Sequence, residues 1–291
     1  MASACTQGLD TGFVALGYAR AAALGVVQGI TELMPISSTA HMRVVPAFLG
    51  WPDPGSAFSA AMQTAALAAV VSYFWKDVRG LVMGSIEAVT RRDFTNWDFR
   101  FAVWIVLATL PIVVAGVLLA PLLNACGSPL RTLNVIGWSC IIMSILFVLA
   151  EYYARPKRTV EQGTLTDAMI VGLAQVGALI PGVSRSGSTL TAALFRDFKR
   201  EEAARFSFLL GLPAIAAAGL HELWALHKSG LDAHGWSVLF VGLVVASISA
   251  FAAIWGLLRI LERFSTWPFI VYRAVLGVFL LLAVAMGWLP N

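Results

Sequence analysis

Two short polar stretches interrupt an otherwise apolar chain, and they hold the side chains suited to phosphate chemistry. In the first, Gln28 and Glu32 stand four apart, so on a helix both face one side. Ser37, Ser38 and Thr39 follow Pro35, and His41 lies three residues after Ser38. One hydroxyl suffices to cap a helix; three in a row exceed that need. A His on the same helical face as a Ser can serve as its general base or acid, or can be purely structural. The second stretch reads Pro181-Gly-Val-Ser-Arg-Ser-Gly-Ser-Thr189. Pro181 and Gly182 break a helix, and Ser184 or Ser186 can cap the next. Arg185 offers a planar fork of donors matched to phosphate oxygens. Ser184, Ser186 and Thr189, with the free N–H groups of a helix start, add further donors. Glu32 together with phosphate and water would suit a hard divalent cation, Mg²⁺ or Ca²⁺. An Arg185–Glu32 strut is the structural alternative, and both can hold. Gln63 and Thr64 read as helix-packing hydrogen bonds.

These groups must be positioned inside a membrane. Of 291 residues, 59% are hydrophobic and 12% charged, about half the charge of a soluble domain. The net charge of +4 and pI near 9.2 fit basic membrane loops; no Lys/Arg tract or aromatic-basic interleaving supports nucleic-acid binding. Cys5, Cys126 and Cys140 show no metal spacing, and Cys140 reads as core. The first twelve residues carry no positive charge and do not read as a signal peptide. No P-loop, zinc or dinucleotide signature is present.

Apolar stretches at 13–34 and 36–50 meet at the first polar turn, and stretches at 168–180 and 188–196 meet at the second. Three of these four pieces are too short to cross a bilayer, which predicts two re-entrant helical hairpins. Six spans are predicted at 57–75, 101–123, 133–153, 206–221, 236–258 and 268–289, the last with Arg273 inside it. The connector 76–100 reads as polar. Gly25, Gln28, Ser37 and Thr39 match Gly172, Gln175, Ser184 and Ser186 at a constant offset of 147, and Phe58-Ser59 matches Phe206-Ser207 at 148. The expected fold is therefore an all-α polytopic membrane domain over 1–291, with a first repeat at 13–153 and a second at 168–289. An odd number of spans per repeat inverts the second. Connectors 76–100, 154–167, 196–205 and 259–266 hold 14 Lys and Arg; 51–56, 124–132 and 222–235 hold 2. The positive-inside rule then places both termini outside and the hairpin tips near the midplane, as in inverted-repeat transporters that hold anions on half-helix N-termini.

Gly25-Val-Val-Gln-Gly-Ile-Thr-Glu-Leu-Met-Pro-Ile-Ser-Ser-Thr-Ala-His41 and the Pro181–Thr189 stretch, with Phe206-Ser-Phe-Leu-Leu210, resemble the bacitracin-resistance type of undecaprenyl-diphosphate phosphatase. The resemblance covers nearly the whole chain. It implies a metal-dependent enzyme of the bacterial inner membrane, with its site facing the periplasm, that removes the terminal phosphate of undecaprenyl diphosphate and regenerates the carrier lipid for peptidoglycan. It implies catalytic roles for Ser38, His41, Glu32 and Arg185, and phosphate contacts from Arg185, Ser184, Ser186, Thr189, Ser37 and Thr39. The metal would sit on Glu32, with Gln28 a weaker candidate, since many members carry Glu at that position. Ser38 as nucleophile and direct attack by water are both open. A homodimer is compatible with the sequence. A polyprenyl-phosphate transporter using the same anion site is the competing function.

Overall fold

The computed structural model describes residues 5–6, 9–123 and 128–289. Apart from a two-residue antiparallel pairing of Cys5–Thr6 with Leu9–Asp10, the described elements are helical. The first hairpin is α1 (Gly17–Leu33) and α2 (Ser38–Leu49), followed by α3 (Gly55–Tyr73), α4 (Trp75–Arg91), α5 (Trp97–Leu123) and α6 (Leu133–Tyr153). The second hairpin is α7 (Leu165–Val176) and α8 (Arg185–Phe195), followed by α9 (Arg200–Lys228), α10 (Ala233–Arg263) and α11 (Trp267–Ala285).

Seven described helices are long and apolar enough to cross a membrane, against the six expected. The seventh is Gly12–Leu33, where a 3-10 turn at Gly12–Leu16 runs into α1 and lengthens the first arm of the first hairpin to 22 residues. The corresponding arm of the second hairpin, Leu165–Leu179, stays short. The connector read as polar over 76–100 is largely helix α4. Helix α9 begins at Arg200, earlier than expected, with Glu201 and Glu202 in its first turn against the positive end of the helix dipole. Cys140 is buried and unpaired; Cys126 lies outside the described residues.

The two halves pack reciprocally. Helix α1 of the first lies along α10 of the second, while α7 of the second lies along α5 of the first. The approach is close because glycine faces backbone at both seams. A Cβ on Gly25 would stand 2.6 Å from Gly242 O, and one on Gly172 would stand 2.2 Å from Ala108 O. Gly25 and Gly172 are one of the pairs at offset 147. Helices α3 and α9 pack on each other, as do α6 and α11, so equivalent elements meet across the centre.

The arms of the second hairpin are clamped at their open end. Buried Asp167, in the first turn of α7, accepts from Arg158 and from Arg196 at the end of α8, both at 2.6 Å. Its carboxylate also closes a capping box with Thr164. A buried carboxylate is tolerated here because two guanidiniums and a hydroxyl satisfy it.

Candidate active site

The two tips repeat one local structure. Ser37 and Ser184 cap α2 and α8 with φ of 73° and 71°, sparsely populated values for a residue with a Cβ. Each accepts from the N–H three residues on, Ala40 at 3.4 Å and Gly187 at 3.1 Å. Each also touches the hydroxyl two residues on, Thr39 at 3.1 Å and Ser186 at 3.2 Å. The tips then bond to each other. Ser186 Oγ donates to Met34 O at 3.0 Å and Glu32 O at 3.2 Å, and Gly182 N–H donates to Thr39 Oγ1 at 3.5 Å.

Arg273 of α11 locks this junction. Fully buried, it donates to Pro35 O (3.0 Å), Gly182 O (2.8 Å) and Val183 O (2.9 Å). Pro35 and Gly182 are themselves 147 apart, so one guanidinium spans equivalent carbonyls of both tips. Gly187 leaves it room, since a Cβ there would stand 2.6 Å from Nη1.

Glu32 is the hub of the polar groups. Its Oε2 accepts from Ser38 Oγ at 2.6 Å and from Gln28 Nε2 at 3.0 Å, and its Oε1 lies 3.4 Å from Arg185 Nη2. The short Ser38–Glu32 bond is the geometry in which a carboxylate can take a hydroxyl proton. Arg185 keeps its other donors free: Nε and Nη1 are buried without a partner. Its Nη1 points at α9 beside Gly211, where a Cβ would stand 1.7 Å from that atom.

A cavity of about 660 Å³ opens on this cluster. Glu32, Ser38, Thr39, Ser184 and Arg185 line it. Its walls are apolar, from Ile112, Val113 and Val117 of α5 and Ala214, Ile215 and Ala218 of α9. Gln63 also lines it rather than packing between helices, whereas Thr64 donates to Ala61 O of its own helix. Arg43, Arg131, His221 and Glu222 also line it. Polar at the Glu32–Arg185 cluster and apolar along its helical walls, the cavity fits an amphiphile with an anionic head.

The remaining expected residues are not at the cavity wall. Ser37 and Ser186 spend their hydroxyls on the tips, as above. Thr189 is fully buried, donating to Arg185 O at 2.8 Å and meeting Ser207 Oγ on α9. Gln28 stands behind Glu32. His41 is not joined to Ser38. Its Nδ1 meets Ser37 O at 2.7 Å, a main-chain carbonyl four residues back, and its Nε2 meets Tyr272 Oη at 2.6 Å. Both ring nitrogens are thus committed, and the ring stacks on Tyr272. Being on one face of α2 with Ser38 did not suffice, because the turn points Ser38 at Glu32. Sequence reasoning assigned no role to Tyr272 or Arg273, although an arginine inside an apolar span was the signal for the second.

Among the described residues no group of three His, Cys, Asp or Glu could hold a metal. Glu32 alone fits a hard cation only if phosphate oxygens and water complete the shell, the usual arrangement for Mg²⁺ with phosphate substrates. Gln28 presents its amide nitrogen to Glu32 from behind, away from the cavity wall.

Fold and site together define a multi-pass integral membrane protein with a polar, arginine-bearing cavity at the junction of two helical hairpins. The model of the family described as "Bacitracin resistance protein BacA" matches residues 21–279. The chain is 74% identical over 263 residues to undecaprenyl-diphosphatase 2 of Mesorhizobium japonicum, covering 90% of this chain and all of that protein. It is 45% identical to an undecaprenyl-diphosphatase of Trichormus variabilis, covering 99% of this chain and 91% of that one. With one of Gloeobacter violaceus it shares 46% identity over 95% of each chain. The chain belongs to the bacitracin resistance protein family.

Proposed function

We propose that this protein hydrolyses undecaprenyl diphosphate to undecaprenyl phosphate and inorganic phosphate in the bacterial inner membrane, recycling the carrier lipid for cell-wall synthesis. The observation that carries this reading is the Ser38–Glu32–Arg185 constellation: a hydroxyl bonded to a carboxylate, which faces a guanidinium with two unused donors. The diphosphatase names of the relatives favour hydrolysis over transport.

In the proposed mechanism, Arg185 and the N–H groups starting α2 and α8 hold the diphosphate. Ser38 Oγ attacks the terminal phosphorus and passes its proton to Glu32. The anhydride P–O bond breaks and undecaprenyl phosphate leaves as an anion, needing no proton. Water then attacks the phosphoserine, inorganic phosphate departs, and Ser38 Oγ recovers the proton from Glu32. Beside Glu32 a divalent cation would be held chiefly by the phosphate oxygens and water, and would supply charge neutralisation at the phosphates. His41 acts as a positioning residue, holding the turn through Ser37 O and Tyr272.

Reciprocal packing and the repeated tips support an inverted repeat with its tips at mid-membrane. Ser56, Arg131 and Glu222, from the connectors poor in Lys and Arg, line the cavity. This favours a site open to the periplasm, with both termini on that side. The test is phosphate release from a lipid diphosphate in detergent, where no transport can occur, with and without chelator. Acid-quenched turnover should yield a phosphoryl group on Ser38. Full turnover by Ser38→Ala would overturn the nucleophile in favour of direct attack by water; no phosphate release would overturn the function.

A further inference from the structure

The feature that the function leaves unused is α4. It follows α3 with only Phe74 between, and α5 begins six residues after it ends, so membrane helices tether it at both ends. Its inner face packs on the start of α5, where a Cβ on Gly84 would meet Asp98 Cβ at 2.6 Å, and Ala88 is buried beside it. Asp77, on that side, pairs with Arg205 of α9.

The other face is apolar and uncovered. Trp75, Val82, Ile86 and Val89 recur at helical spacing and are each more than half exposed, with Met83 at its edge. Lys76 and Arg92 flank this face, while Arg79, four residues after Trp75 and three before Val82, stands on it. Arg91 is neutralised by Glu87 at 2.9 Å, but Lys76, Arg79 and Arg92 are exposed and have no ion pair among the described residues. A large apolar face with free cations beside it and one long Arg side chain able to snorkel from it, on a helix tethered between spans, has the chemistry of a segment that lies in the headgroup–acyl boundary. A soluble protein partner would leave the cations without a defined counter-charge, whereas anionic phospholipid supplies one along the whole flank.

We propose that α4 is an in-plane membrane helix whose Trp75–Val82–Ile86–Val89 face sinks into the acyl boundary while Lys76, Arg79 and Arg92 bind anionic phospholipid headgroups. The site is separate from the Glu32–Arg185 centre and does not depend on the activity proposed for it.

Fluorophores on single cysteines at positions 86, 89 and 87 test the seating, in full-length protein with Cys5 and Cys126 changed to Ser, reconstituted in vesicles. Probes at 86 and 89 should be quenched by brominated acyl chains and shielded from iodide, with the reverse at 87. Iodide access at 86 and 89 equal to that at 87 would overturn the seating and leave the face to a protein partner. In nanodiscs of mixed phosphatidylglycerol and phosphatidylcholine, the protein without substrate should retain phosphatidylglycerol selectively. Lys76→Gln, Arg79→Gln and Arg92→Gln should each weaken that retention about fivefold at low salt. Unchanged retention in the triple variant would overturn the headgroup assignment.

Discussion

Gly211→Ala is a single methyl added to α9, and it should disable the centre without unfolding the protein. The new Cβ would stand 1.7 Å from Arg185 Nη1 and 2.8 Å from Cζ. Ordinary contact needs about 3.5 Å, so one partner must retreat by roughly 1.5–2 Å. Helix α9 cannot give, because Leu209 and Leu210 beside Gly211 are packed in the largest core cluster. The guanidinium can, since the cavity lies next to it. That shift removes Arg185 from its 3.4 Å position on Glu32. A 1 Å misplacement at a reacting centre costs about 10²-fold, so kcat/KM should fall by about 10²–10⁴-fold, or roughly 3–5 kcal/mol of transition-state stabilisation. Stability should hold, since alanine is the better helix former by about 1 kcal/mol. The assay is phosphate release in detergent across substrate concentrations, beside thermal unfolding of the same samples. Substrate affinity is then measured for Gly211→Ala, Arg185→Ala and the double variant. If Gly211 acts through Arg185, the double variant binds as Arg185→Ala does. Activity within threefold of wild type, or an equal loss of affinity in the Arg185→Ala background, would refute the argument.

Four other outcomes follow from the same contacts. Glu32→Gln keeps the shape but loses the proton acceptor for Ser38 and the charge facing Arg185; kcat should drop about 10²–10⁴-fold with the protein still folded, as read by turnover and size-exclusion profile. Arg273→Met strips the donors from Pro35 O, Gly182 O and Val183 O and should cost about 3–5 kcal/mol in unfolding assays in bicelles, with activity falling as the tips separate. Tyr272→Phe leaves His41 Nε2 without its partner and should cost about 1–3 kcal/mol of stability with only a modest change in turnover; a collapse of kcat would instead give Tyr272 a place in the chemistry. Gln28→Glu puts a second carboxylate against Glu32 and should retain activity while raising the chelator concentration needed to abolish it, since two carboxylates hold a hard cation more tightly than one.

Span length and charge content, properties of the chain read in order, were enough to mark a multi-pass membrane protein, and the offset of 147 was enough to raise the expectation of two related halves. The sequence by itself also delimited the two polar stretches, since hydroxyls, a carboxylate and a guanidinium inside apolar segments need partners or a ligand wherever they fold. Which hydroxyl faces the cavity was decided only in three dimensions. Ser37, Ser38 and Thr39 are neighbours of one type, and a single positive φ at Ser37 makes the first a cap and aims the second at Glu32. His41 was placed with Ser38 by helical spacing, but the competing partner, Tyr272, is 231 residues away. Thr189 looked like a phosphate ligand until α9 brought Ser207 against it. The length of the first arm was legible, at 13–34 against Gly12–Leu33, but it was not counted among the helices able to cross because it was read as part of a re-entrant hairpin. Arg273 and Gly211 act through contacts with hairpin tips about 90 and 26 residues earlier, distances over which local pattern carries no information. Propensity and hydropathy act along the chain; the centre is made where two chain reversals meet, and only tertiary packing brings them together.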